Sequence, residues 1–248
     1  MNAPDTAPSI RSVRVGTTGV GSMHPEHRYG SRLPPVAWAL LSRRWIDGVP
    51  VHFFAIDHRD GLVLFDTGLD PAIADDPREY LGSALGVFFL NRLFRWHIRP
   101  EDNVRDQLTL MGHDVAAVRT VVFSHLHFDH TGCIEHLLHA CLLAPRREWQ
   151  ALTAPNAERS WYLRQHVDRP GAQWTLLDAA PSDDPDVAPF RACYDVMGDR
   201  LPGVAEDVEA MRASNARVRA LRERLTDLMI LPSHDIETAA RLAAAPPA

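Results

Sequence analysis

The chain has 248 residues, 46% of them hydrophobic and 23% charged, a balance that suits one domain spanning residues 1–248 with a sizeable core. Its net charge is −6, from 26 basic and 32 acidic residues, and no basic tract runs through it, which argues against nucleic acid or a membrane surface as partner. All 26 cations are arginine, so mechanisms that need a lysine (Schiff bases, P-loops, Ser-x-x-Lys acylation) are excluded.

In chain order, residues 1–10 read as a loose tail and Ser12–Val20 as a weakly alternating strand. Two β-rich runs, Val51–Ile56 and Leu62–Phe65, flank the turn signal DHRDG and predict a hairpin. The hairpin ends at Asp66-Thr67-Gly68, where the chain must turn sharply. Residues 81–98 are apolar with scattered arginines and read as a short helix pair. Core packing or a dimer contact is its first reading, and the wall of a substrate site is the other.

Asp102–Met111 predicts a helix with Val104, Leu108 and Met111 on one face. Residues 118–124 read as a buried strand that runs into the stretch SHLHFDHTG, and a helix follows with Thr131 as its cap. CLLAP and REWQAL add a short strand and a helical turn. The acidic stretch 181–189 lacks the spacing of a calcium loop and reads as a solvated loop. Residues 205–225 form an amphipathic pattern, with Val208, Met211, Val218, Leu221 and Leu225 on one side; LMIL then predicts a strand and Pro232–Asp235 a loop. Cys133, Cys141 and Cys193 form no C-x-x-C pair, a count that suits a reducing compartment. No secretory signal opens the sequence and no stretch is long enough to span a bilayer, so a cytoplasmic protein is expected.

The chemistry concentrates at 125–130, where His125, His127, Asp129 and His130 crowd into six positions. A strand, a ligand-bearing loop and a helix can supply two ligands to each of two neighbouring metal ions. Imidazole with carboxylate suits zinc, with iron or manganese as alternatives. Metals so held turn a bound water into hydroxide near neutral pH, the nucleophile for a carbonyl or phosphoryl centre. Asp129 is the catalytic candidate, able to orient that nucleophile or carry a proton to the leaving group. The remaining histidines before His234 read as ordinary surface or core residues.

His125-Leu126-His127-Phe128-Asp129-His130 matches the H-x-H-x-D-H motif of the metallo-β-lactamase superfamily. Together with Asp66-Thr67-Gly68, the hairpin before it and the ending LPSHD, the chain most resembles the N-acyl-homoserine-lactonase-like branch over residues 12–238. The resemblance implies an α/β fold, an αββα sandwich, with His234 as the terminal metal ligand. It also implies a zinc-dependent hydrolase acting on a small-molecule lactone or ester. Two zinc ions are usual in that family. Two of its elements are not found as expected. No histidine stands in a P-G-H stretch between His130 and His234, and residues 195–204 read like two family segments run together.

Asp199 is either the bridging aspartate or a turn residue; Cys193 and Asp195 are weaker substitutes. The resemblance therefore implies an incomplete second sheet and one filled metal site from Asp129, His130 and His234. A homodimer would cover exposed sheet edges. The alternative is a degenerate domain that binds one metal or a ligand without catalysis.

Overall fold

The computed structural model describes residues 9–181, 192–196, 202–204, 218, 220–224 and 229–245. Asp199, most of the predicted 205–225 helix and nearly all of the acidic 181–189 loop lie outside the described residues.

Alternating apolar residues build the central sheet. Strands β1 (Ile10–Met23) and β2 (Ile46–His58) form a long antiparallel pair, and β3 (Gly61–Phe65) closes the predicted hairpin onto β2. Three parallel additions follow: β5 (Val118–Val122) on β3, β6 (Cys141–Pro145) on β5 and β7 (Gln173–Leu177) on β6. With β4 (Phe94–His97) on the outer edge of β1, the order is β4-β1-β2-β3-β5-β6-β7. The second sheet is small among the described residues: β8 (Ala180–Pro181), β9 (Ala192–Asp195) and β10 (Pro202–Val204), all antiparallel.

The period of two along each strand gives the large sheet two apolar faces. Leu62, Leu64, Val121, Leu142 and Ala144 point into the main core, with Phe53 and Phe123. Helix α6 (Val104–Leu110) packs Val104 and Leu108 there, both fully buried, and Met111 packs alongside as predicted. The intervening Val63, Val122 and Leu143 face the other way, toward Ile56, Phe65, Leu177 and Val196, the last just beyond β9. Both faces of the sheet are thus used, as a layered α/β architecture requires.

Three expectations need correction. The 81–98 segment is not a helix pair. Helix α4 (Pro77–Leu81) precedes it, one helix, α5 (Ala84–Leu93), occupies its first part, and the rest is β4. Phe94 and Trp96 alternate onto a second apolar cluster while Arg95 lies over the Trp45 ring at 4.0 Å, a two-residue period that strand pairing satisfies. Thr131 does not cap a helix start. Helix α7 (Phe128–Thr131) begins three residues earlier, and Thr131 closes it by donating its hydroxyl to the His127 carbonyl at 3.0 Å. A 3-10 turn at Ile134–Leu137 follows instead of a longer helix. Finally, Met229–Leu231 form no strand. Their successor Pro232 cannot donate to a ladder, and the chain beyond it meets β2 without a strand ladder, the Ser233 carbonyl accepting from the His52 amide and the His234 Nδ1 lying 3.0 Å from the Pro50 carbonyl.

Candidate metal centre

The site lies at the carboxyl ends of two neighbouring parallel strands, the crevice where α/β sheets present ligand-binding loops. Because β3 and β5 are paired in parallel, the turn after β3 and the loop after β5 emerge side by side. The first carries Asp66-Thr67-Gly68; the second carries Ser124–His130. They are stitched together at the backbone. The Asp66 amide donates to the Val122 carbonyl at 2.8 Å, and both the amide and the hydroxyl of Thr67 donate to the His130 carbonyl, at 2.8 and 2.9 Å.

Two glycines permit that closeness. Gly68 has φ +71°, and a Cβ there would meet the Thr18 side chain, whose hydroxyl accepts the Leu69 amide at 2.8 Å. A Cβ on Gly132 would fall 2.4 Å from the Asp70 amide nitrogen, so only glycine lets the two loops approach.

Three of the four motif side chains come together. His125, Asp129 and His130 offer ligand atoms that lie within 4.8 Å of one another. His234 arrives from the far end of the chain, its Nε2 lying 3.2 Å from the His130 Nε2. The Asp129 Oδ2 stands 3.6 Å from each of those nitrogens. A tetrahedral zinc with ligand bonds of roughly 2.0–2.1 Å sets its ligands roughly 3.3–3.4 Å apart. The Asp129–His130–His234 triangle therefore has the dimensions of three such ligands. His127 stands beside the cluster of three, its ring 4.6 Å from that of His125.

Burial and charge act together on these groups. Burial and the neighbouring His130 press the His125 imidazole down to about 2. Burial opposes charge on His130 as well, but Asp129 and Asp66 prevail and lift it to about 9. Burial would raise Asp129, yet the four surrounding imidazoles, His130 foremost, hold its carboxyl at about 2. The cluster holds a carboxylate with several nitrogen lone pairs, the donor set that borderline divalent cations take.

Several neighbours carried no spacing signal in the sequence. Ser124 donates its hydroxyl to Asp66 at 2.9 Å, and the Asp66 carboxylate meets the His130 Nδ1 at 2.8 Å. The buried Glu148 accepts from the Tyr162 hydroxyl at 2.9 Å and from the Leu126 amide at 3.3 Å. The Tyr162 ring stands edge-on to His127 at 4.6 Å. Asp66 was legible only as a turn residue, and Glu148 only as part of a helical turn.

Other histidines serve packing, as expected. His24 bridges the Arg44 and Arg92 carbonyls at 2.7 Å each, and His166 meets the Tyr80 carbonyl at 2.7 Å. Beside the motif helix lies a cavity of about 740 Å³, lined by His27, Trp38, Leu85, Phe89, Trp161 and Leu163 among others. Trp161 joins it to the site, because its carbonyl accepts the Phe128 amide at 3.3 Å and its ring lies 5.8 Å from that of Phe128. Among the described residues no helix is long and apolar enough to cross a membrane.

The family model for the metallo-beta-lactamase superfamily matches residues 46–208. An N-acyl homoserine lactonase AttM of Rhizobium johnstonii is 35% identical over 153 residues, 61% of this chain and 52% of the relative. The AttM of Agrobacterium fabrum is 34% identical over the same length and shares. The chain thus spans about half the length of the curated relatives it matches. Among solved structures, a variant of the B. thuringiensis AiiA with N-decanoyl-L-homoserine bound at its active site superposes with a TM-score of 0.66. That likeness covers 94% of this chain and 96% of the other at 16% identity, a similarity of fold.

Proposed function

Because the chain belongs to the metallo-β-lactamase superfamily, we propose that it is a zinc-dependent hydrolase that opens the lactone ring of N-acyl homoserine lactones. The observation that carries this reading is the triangle of Asp129, His130 and His234, with donor separations of 3.2, 3.6 and 3.6 Å. The curated relatives, named as N-acyl homoserine lactonases, support the substrate class.

Asp129, His130 and His234 would hold one zinc, and His125 and His127 would contribute to a second, with Asp199 as its proposed further ligand. Zinc supplies Lewis acidity and lowers the pKa of a bound water toward about 7. Asp129 is the catalytic residue. Its carboxyl, held at about 2, is ionised at neutral pH and can accept a proton or hold the nucleophile by hydrogen bonding. The lactone carbonyl would lie over the ligand loop and the acyl chain in the cavity beyond Trp161, whose walls are mostly apolar.

The low, odd cysteine count supports a reducing, cytoplasmic setting. Single-domain organisation over residues 1–248 and a homodimer belong to the same reading. The dimer is supported by apolar side chains left exposed on α5 and on the α2 helix (Pro35–Leu41): Leu40, Leu41, Leu85 and Phe88.

A second reading, a metal-binding protein without catalysis, is favoured by one observation. The cluster of three convergent donors found among the described residues, His125, Asp129 and His130, does not include His127. Elemental analysis of dialysed protein, paired with a lactone-opening assay, separates the two. Bound zinc with turnover that Asp129→Asn abolishes supports the hydrolase. Zinc-replete protein that opens no lactone or ester supports the second reading.

A further inference from the structure

Nothing in the metal chemistry itself decides which ring nitrogen each histidine presents, and a histidine with the wrong tautomer points an N–H at the metal. The protonation pattern here follows from one hydrogen-bond chain. Asp66 is 1% exposed. Its Oδ1 accepts the Ser124 amide at 2.8 Å. Its Oδ2 lies 2.8 Å from the His130 Nδ1 and 2.9 Å from the Ser124 hydroxyl oxygen. An ionised carboxylate only accepts, so the His130 Nδ1 and the Ser124 hydroxyl must both donate to it. Having spent its one proton there, the Ser124 oxygen can only accept from the imidazoles beside it, of which the His125 Nδ1 is the nearer at 3.0 Å and the His130 Nδ1 lies 3.5 Å away. In the neutral form that a metal ligand takes, both imidazoles then carry their proton on Nδ1. For His130 the opposite nitrogen, Nε2, is the one that faces His234 and Asp129.

We propose that Asp66 is a positioning residue that sets the tautomers of two candidate ligands at once, His130 directly and His125 through the Ser124 hydroxyl, so that each presents its Nε2 to the metal. The inference rests on the metal-binding reading of the site. Asp66 has φ +61°, a left-handed conformation that glycine adopts most readily and that aspartate tolerates better than most side chains. The turn would accept glycine as well, whereas only the carboxylate bridges His130 and Ser124. Asp66→Asn inverts the logic. An amide nitrogen facing the His130 Nδ1 would donate to it and drive the proton to Nε2, toward the metal.

The test uses the full chain loaded with zinc. Zinc affinity is measured by competition with a chromophoric chelator for the native protein, Asp66→Asn, Asp66→Gly and Ser124→Ala. Ring tautomers are read from histidine 15N shifts, and the fold is followed by circular dichroism. Loss of a hydrogen-bonded partner behind a metal ligand weakens affinity roughly 10- to 100-fold. That loss is expected for Asp66→Asn and also for Asp66→Gly, although glycine suits the left-handed turn. Ser124→Ala, which leaves Asp66 on His130, should alter the His125 resonances and spare those of His130.

Native affinity in Asp66→Gly or Asp66→Asn would reduce Asp66 to a turn residue and overturn the proposal. So would a native spectrum with either ring bound through Nδ1. Native protein that binds no zinc overturns the metal reading itself, and this inference with it.

Discussion

Two segments meet at the candidate site and are held there in opposite ways. The loop Ser124–His130 is built into the body of the fold. It leaves the core strand β5, it is tied to the Asp66–Gly68 turn by backbone and side-chain bonds, and Leu126 and Phe128 anchor it in two separate apolar clusters. The Pro232–Asp235 loop is a visitor. It touches β2 through the Ser233 carbonyl and through the His234 Nδ1, 3.0 Å from the Pro50 carbonyl, and the His234 side chain remains 36% exposed. A ligand embedded in a core should be costly to disturb in both stability and function. A ligand delivered by a peripheral loop should be costly in function alone.

Substitutions test that contrast. The largest effect is expected from Asp129→Asn, which removes a carboxylate proposed both as ligand and as catalytic residue. Turnover of an N-acyl homoserine lactone should fall by more than the roughly 100-fold that outer partners of a metal ligand cost. Undiminished turnover would remove Asp129 from the chemistry. His234→Ala should match it in zinc loss while shifting the metal-free thermal midpoint little, because more than a third of the side chain is exposed. A collapse of metal-free stability in His234→Ala would mean that the loop is structural after all.

Gly132→Ala probes the embedded half. Its Cβ would sit 2.4 Å from the Asp70 amide and 2.7 Å from the Leu69 carbonyl carbon, both backbone atoms that cannot swing away. Overpacking of this kind costs about 1–3 kcal/mol, to be read from denaturant unfolding. On the peripheral half, the fully buried Thr238 donates its hydroxyl to the Pro232 carbonyl at 2.7 Å. Thr238→Val should cost only about 1 kcal/mol and loosen His234 enough to lower zinc affinity.

A smaller effect should appear in metal-free protein as pH varies. His130 is raised from 6.5 to about 9, so its stabilising contribution is complete below 6.5 and is lost as pH climbs toward 9. His125 is lowered from 6.5 to about 2, so the unfolded chain takes up the proton first and stability falls as pH drops below 6.5. The two slopes oppose each other and place the optimum of the metal-free fold near 6.5. A thermal midpoint that rises steadily from pH 6.5 to 9 would contradict the charged state of His130.

The embedded half was the legible half. The hairpin at Val51–Phe65, the strand before the motif and the α6 face of Val104 and Leu108 could be read because short-range periodicity and burial agree there. The four candidate donors of the motif were legible because they share one loop. The 81–98 segment was misread because its apolar residues fit either period until β1 offered Phe94–His97 an edge to pair with. Ser124, Glu148 and Tyr162 went unnoticed because hydrogen-bond partners 14 to 58 residues apart leave no pattern in a local window.

The sequence by itself determined the donor set. Three histidines and an aspartate within six residues, following a β-branched run, put a set of candidate metal donors in a loop at the end of a strand. Tertiary structure alone decided the rest. Parallel pairing of β3 with β5 laid Asp66 against Ser124 and His130, and the return of the chain set the His234 Nε2 3.2 Å from that of His130. The physical reason is range. Side-chain periodicity is a property of neighbours along the chain, whereas the direction of a lone pair is fixed by whichever donor or acceptor the fold brings alongside.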